Sequence, residues 1–504
     1  MEPQYIRFAA EDSPREAQQL GGLLCKLPGP GGRAASRRTD DSDAPPAPCM
    51  IDWMRERRRR RRSRSCWLAA LNVGLCFAAA VAAQAPAPRM LALVGGTLVD
   101  GSGGTPLEDS VVLIRGERIE RIGTVDTLSV PEDYERVSTE GLTVLPGLWD
   151  PHVHLLYNGH PDFAHWFAAY ADRFEDVTIP ASAEQMLLAG VTSARDLAAP
   201  TDDILAVRQR IESGELPGPT LYTAGAALQP TDATARPHML AVSGAEDASA
   251  KVKALIEAGV DFVKILGAEG RPADEIRAIV DAAHAAGLKV AAHGRSDAEI
   301  RLGLAAGVDE FQHVGLESSE FPPDVVEAIA ERVRSGPPLY WCPTVGMHLN
   351  ADELAADREF LDDPRNFIGL PREIADDVRR AVANAEPAAP APRVASVVQR
   401  KIDQLRELGV ILVPGSDMGT FGVPAAEALW RDLEAWVREL GMEPMDAIRW
   451  ATSGAAEYFG AATDYGTIVP GKYADIIAVQ GNPLVHIDVL RDPRIVIKHG
   501  RRYK

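Results

Sequence analysis

Cysteine is scarce in this chain. Only five of the 504 residues are cysteine, too few for a disulfide-built scaffold. Cys25, Cys49, Cys66 and Cys76 all lie in the first 83 residues, which leaves Cys342 alone in the remainder. Positive charge is also in short supply. Against 72 Asp and Glu stand 53 Lys and Arg, a net charge of -19, which argues against a nucleic-acid or anionic-membrane partner held through phosphates. After residue 83 no stretch is long and apolar enough to span a bilayer. There is no Walker loop, no G-x-S-x-G elbow and no H-E-x-x-H helix. Cys342 reads as a small core residue and not as a nucleophile.

What is present begins with an unusual front segment. Residues 1–53 carry no sustained apolar period and are rich in Gly, Pro, Ser and Asp, so they read as a disordered or non-native upstream extension. Met54 follows, then eight arginines between Arg55 and Arg64, then an apolar run from Cys66 to Ala83 that ends in small residues. A positive region, an apolar core and a small-residue exit make residues 54–83 a secretory signal. Cleavage after Ala83 leaves Gln84 first and exports the remainder, periplasmic or secreted. Retention as an uncleaved anchor is the alternative, but eighteen residues is the bottom of the spanning range and no stable membrane anchoring is expected. The 421 residues after Ala83 carry 39 basic and 63 acidic side chains, so the acidic bias is stronger there.

From Met90 to Glu140 short β-like runs alternate with Gly-rich turns, and a matching pattern returns at Ala474 to Val479 and Ile495 to Lys498. Residues 84–145 and 461–504 are therefore expected to build one small β-sandwich from both chain ends. Between them the chain repeats a unit in which a helix ends in Ala-Gly or Leu-Gly, an aliphatic strand follows, and the strand closes on a polar residue. The glycines read as helix stops. Ile276, Ile279, Val280 and Ala283 mark the apolar face of one such helix. Eight candidate strands fall near residues 146, 191, 220, 262, 289, 309, 339 and 411. Eight parallel βα units predict an α/β fold, a (β/α)8 TIM-type barrel over residues 146–460.

In that architecture all strand C-termini meet at one mouth, which gives the polar strand ends a common purpose. The first strand ends Asp150-Pro151-His152-Val153-His154, and residues two apart in an extended segment face the same side. H-x-H alone is weak evidence for a metal. His293, His313 and Asp417 each close another strand, and imidazoles with a carboxylate suit zinc and similar ions. Lys264 also closes a strand; a charged lysine there would repel a cation, and a rim ion pair is its simplest reading.

Taken in order, these segments resemble the amidohydrolase superfamily, in its imidazolonepropionase-like and prolidase-like branch. The resemblance rests on Pro146 to His154, Gly190-Val191-Thr192 with Arg195-Asp196, Asp261 to Lys264, His293-Gly294, Gln312-His313, Gly415-Ser416-Asp417 and Pro470 to Asp475. It implies two divalent metal ions, zinc by expectation, with His152, His154 and Asp417 on the first, His293 and His313 on the second, and a carbamylated Lys264 on both. It also implies that water activated between the ions attacks an amide carbonyl while Asp417 shuttles the proton to the leaving nitrogen.

Members of this branch release C-terminal amino acids from dipeptides or N-acyl amino acids, and some similar proteins cleave ochratoxin. The expected partner is thus a small-molecule amide or dipeptide, with a homo-oligomeric enzyme. Gly267-Ala268-Glu269-Gly270 departs from the Ser-Gly-Gly common after the lysine, as does the segment before Gly294-Arg295, where a further histidine often stands. Arg195 and Arg295 are candidates to hold a substrate carboxylate, or else to form ion pairs in the rim. His238, with His160, His165 and His348, falls in or near loops able to reach substrate. A cyclic amide hydrolase and a non-catalytic barrel binding protein are the alternatives.

Overall fold

The computed structural model describes residues 88–349, 361–385, 393–420 and 423–504. The upstream extension and the signal segment lie outside the described residues. Five strands open the described chain: β1 (Met90–Leu98), β2 (Leu107–Arg115), β3 (Arg118–Thr124), β4 (Glu135–Ser138) and β5 (Leu142–Pro146). Three close it: β16 (Ile476–Gln480), β17 (Pro493–Lys498) and β18 (Arg501–Arg502). They join in a single sheet of order β18-β17-β16-β5-β1-β2-β3, with β4 paired to β1. Both chain ends do contribute, through the antiparallel pairing of β16 with β5. The expected sandwich is replaced by this one hydrogen-bonded sheet. Its apolar face, including Leu91, Leu93, Val112, Ile114, Ile476 and Ile497, is buried as a cluster of its own.

Between the two ends run β6 (Leu148–Val153), β7 (Val191–Asp196), β8 (Thr220–Thr223), β9 (Ala227–Pro230), β10 (Met239–Val242), β11 (Val263–Ile265), β12 (Val290–His293), β13 (Glu310–Gln312), β14 (Tyr340–Cys342) and β15 (Ile411–Leu412). All pairings among them are parallel. Helices separate most of them, as parallel connections require. Each of the eight strand positions read from the sequence carries a strand. The fold is α/β and TIM-barrel-like, yet the ladder is not the closed ring expected. It forms two arcs, β6-β7-β8 and β10-β9-β11-β12-β13-β14-β15.

The reason is local at both breaks. The third strand turns at Gly225, whose φ of +62° only glycine adopts without strain. Its first half, β8, bonds β7 while its second half, β9, bonds β11. At the other break β15 ends early, and the chain beyond it meets β6 by single bonds: Asp417 N to His152 O at 2.9 Å and His154 N to Met418 O at 2.8 Å.

Periodicity explains the outer layer. Ile276, Ile279, Val280 and Ala283 are all buried on the helix Ala273–Ala285. The helices Gly244–Ala258 and Asp297–Ala306 stop at Gly259 and Gly307, both left-handed caps. Two apolar clusters result, one around Trp166, Phe174 and Trp430 and the other around Phe311, Trp341 and Trp436. At roughly 25 cal/mol per Å2 of apolar surface, burying such side chains is what holds helices to strands here.

Candidate active site

The strand ends bring five ligand-type side chains to one place. His152 lies in β6 and His154 directly after it; His293 ends β12, and His313 and Asp417 follow β13 and β15. The imidazole of His152 is centred 5.3 Å from that of His154 and 4.9 Å from that of His313, which is 5.0 Å from His293. Asp417 Oδ1 is 3.2 Å from both His152 Nε2 and His154 Nε2, and Asp417 Oδ2 is 4.0 Å from His313 Nδ1. His152, His313 and Asp417 each offer a ligand atom within 4.8 Å of the others. Lys264 enters from the middle of β11 and is fully buried.

Burial sets the charge states. It drives the His152 imidazole down to about 3, against the pull of Asp417, and lowers His293 and His313 well below the ordinary histidine value. These rings are neutral, the form that ligates metal. Burial likewise lowers the Lys264 amine to about 7. For Asp417 burial acts upward, but His152, His154 and His313 outweigh it and hold the carboxylate well below its usual range.

Several of these polar atoms are buried without a hydrogen-bond partner: both nitrogens of His152, Nδ1 of His154, Nζ of Lys264 and Oδ1 of Asp417. Buried polar atoms are rarely left bare unless something not yet counted satisfies them. An N and O donor set converging on one point is what a borderline divalent ion takes.

Backbone strain marks the same place. His313, Thr344 and Asp417 have φ of +66°, +51° and +57°, a left-handed conformation that costs non-glycine residues free energy and gathers at functional sites. Hydrogen bonds hold them there. Thr344 Oγ1 is 2.9 Å from His313 Nδ1. Asp150, buried and pushed up to about 6, accepts from the backbone N–H groups of His152 at 3.2 Å and Ser416 at 3.1 Å, tying β6 to the Asp417 segment. Asp432 accepts from Gly415 N at 3.0 Å and Gly346 N at 2.7 Å. Sequence reasoning passed over Asp150, Asp432 and Thr344; the Asp150-Pro151-His152 spacing was the available signal for the first.

A family model described as the amidohydrolase family matches residues 143–502. The chain belongs to the amidohydrolase family. Amidohydrolases of this kind are hydrolases acting on amide C–N bonds, and the family generally uses a divalent metal. Ochratoxinase of Aspergillus niger is 25% identical over 476 residues, 84% of this chain and 88% of that protein. Imidazolonepropionase of Streptomyces coelicolor is 26% identical over 397 residues, 76% and 88% of the two chains. Among solved structures, a Xaa-Pro dipeptidase with bound methionine superposes with a TM-score of 0.61 at 23% identity, covering 82% of this chain and all of that one. That likeness shows the fold of this amidohydrolase.

The remaining sequence candidates separate. Arg195 turns inward: its NH2 is 2.6 Å from Glu310 Oε1, Nε donates to Pro151 O at 2.9 Å and NH1 to the Tyr458 hydroxyl at 2.6 Å. The ion-pair reading of Arg195, one of the two left open by the sequence, is the one seen. Arg295 is half-buried, and its charge adds to the burial that lowers His293, His313 and the half-buried His348. His238 is buried against Tyr157, its Nε2 2.9 Å from the Tyr157 hydroxyl, and its Nδ1 has no partner. Tyr157 in turn packs on His154, their rings 5.8 Å apart. His284 bonds Asp309 on the outer layer, as a structural histidine would. Cys342 is a buried free thiol raised by burial, the core residue expected.

Proposed function

We propose that this amidohydrolase is a binuclear metal-dependent enzyme that releases a C-terminal amino acid from dipeptides or N-acyl amino acids, ochratoxin-type amides included. One observation carries the reading: His152, His313 and Asp417 bring ligand atoms within 4.8 Å of one another, and polar atoms of His152, His154, Lys264 and Asp417 are buried there without hydrogen-bond partners. His152, His154 and Asp417 would hold one ion, His293 and His313 the other, and Lys264 as its carbamate both. Lys264 suits that role because burial favours the neutral amine, the form that takes up carbon dioxide. Two divalent ions, zinc by choice of ligands, supply Lewis acidity toward a carbonyl and acidify water.

The chain's own groups do the rest. Asp417, ionised and fixed by its imidazole neighbours, accepts the proton of the attacking water and delivers it to the departing nitrogen. Arg295 supplies the positive charge for a substrate carboxylate, since Arg195 is committed to Glu310. His238 and Tyr157, beside the aromatic rings of Phe163 and Phe167, form an amphipathic wall suited to the substrate side chain. The front segment supports export after cleavage near Ala83.

The relation to imidazolonepropionase favours cyclic amides as a second reading. A panel of X-Pro, X-Arg, X-Lys and X-Phe dipeptides, ochratoxin and a cyclic imidazolone separates the two. Release of the C-terminal amino acid is expected. Turnover of the cyclic amide alone would replace the first reading with the second.

A further inference from the structure

A second group of metal-ligand side chains lies outside the six just described. His160 sits in the loop after β6, and His165 on the helix that follows it, Phe163–Tyr170. Asp377 comes from the helix Arg372–Asn384, which lies between β14 and β15 and is more than 200 residues further along the chain. Each offers one ligand atom within 4.8 Å of the other two. His165 Nε2 is 2.8 Å from Asp377 Oδ2, and His160 Nε2 is 3.9 Å from the same oxygen. The two imidazoles stack with centroids 5.3 Å apart.

An ordinary ion pair accounts for only part of this. His165 with Asp377, joined by the Tyr170 hydroxyl at 2.8 Å from Oδ2 and by Arg380 at 3.2 Å from Oδ1, would be a normal hydrogen-bonded cluster at the surface. His160 does not fit it. The residue is 1% exposed, and its Nε2 is buried without a hydrogen-bond partner while facing Asp377. A bare buried nitrogen aimed at a carboxylate beyond hydrogen-bond reach calls for something between them.

The other side of His160 is arranged as a ligand's is. Its Nδ1 lies 3.0 Å from the carbonyl oxygen of Asp162 and 3.1 Å from that residue's amide N–H, which can donate to it, so Asp162 accommodates either tautomer of the ring. With the proton on Nδ1 and donated to that carbonyl, Nε2 keeps its lone pair; a ring N–H bonded to a backbone carbonyl is how metal-bound histidines are commonly oriented. Tyr170 would serve Asp377 in the same way.

We propose that His160, His165 and Asp377 bind a divalent ion of the zinc type, additional to the two of the strand-end site, which pins the helix Arg372–Asn384 to the loop and helix following the first barrel strand. Zinc bonds to N and O run to roughly 2.0–2.2 Å in tetrahedral sites, so ligand atoms sit about 3.3 Å apart. The 2.8 Å and 3.9 Å spacings bracket that distance. Three protein ligands leave one position for water, and the half-exposed ring of His165 gives an entry path from solvent. The two joined segments both leave the C-terminal ends of barrel strands, so the ion would act as a staple between them.

Full-length wild type, His160→Gln, His165→Ala and Asp377→Asn proteins are saturated with zinc chloride, passed through a desalting column and assayed by elemental analysis, with thermal melting in parallel. Each variant is expected to retain one zinc per chain fewer than wild type, and zinc in excess of the strand-end requirement raises the melting temperature of wild type only. His165 is at a half-exposed position, so its replacement tests the site even if loss of His160 impairs folding. Equal zinc content in wild type and His165→Ala overturns the proposal. The difference between proteins reads this site whatever the strand-end residues bind, which keeps the test separate from the function proposed above.

Discussion

The proposed chemistry is concentrated in one side chain, Asp417. It is left-handed in backbone conformation, buried, and within 3.2 Å of two imidazoles. Replacing it with Asn keeps size and one oxygen while removing the base. Asp417→Asn should retain much of the bound metal and lose about 10²–10⁴-fold in kcat; a variant turning over at nearly the wild-type rate would remove Asp417 from the proton-transfer role. Arg195 makes the opposite point, as a polar strand end that serves the interior. Its removal strands Glu310, 1% exposed, as an uncompensated buried charge. Arg195→Ala should cost roughly 3–5 kcal/mol in denaturant unfolding, whereas a substrate-binding arginine would show its loss mainly in KM.

At the scale of elements, the site depends on how closely β15 and its continuation approach β6. Gly415 permits that approach: a Cβ there would lie 2.6 Å from Cys342 Sγ and 3.2 Å from His152 Cβ. Gly415→Ala is expected to destabilise the protein by about 1–3 kcal/mol and to lower activity by displacing Asp417. Shortening the obstructing side chain with Cys342→Ala should restore part of both. No recovery in the double variant would mean that the contact with Cys342 is not what matters.

The same scale shows what the sequence could and could not convey. Strand positions were legible because each is a short aliphatic run and most follow a helix that stops at glycine, and the ligand set because its members lie in or just after such runs. The split of the third strand was not, since Ala224-Gly225-Ala226 looks like any small turn until φ at Gly225 is known. Nor could spacing pair Asp377 with His165, because they meet only through tertiary packing. Arg195 and Arg295 are alike as letters; only burial and the position of Glu310 tell them apart.

As a whole molecule, the described chain is a TIM-barrel-like α/β unit beside a sheet made from both chain ends, and among the described residues no helix is long and apolar enough to cross a membrane. The proposed export rests on the sequence of the front segment. N-terminal sequencing of natively expressed protein should find Gln84 first; a chain retaining Arg55 to Arg64 would mean that the apolar run is kept as an anchor.

Metal-dependent hydrolysis of an open-chain amide is the central claim, and one comparison addresses it most directly. The purified protein is assayed for release of phenylalanine from an N-acyl phenylalanine after chelation to the metal-free state and again after zinc is restored, with bound metal measured on the same samples. Activity should vanish with the metal and return in step with the occupancy of the strand-end site. Undiminished release from metal-free protein, or no release with that site filled, would contradict the account.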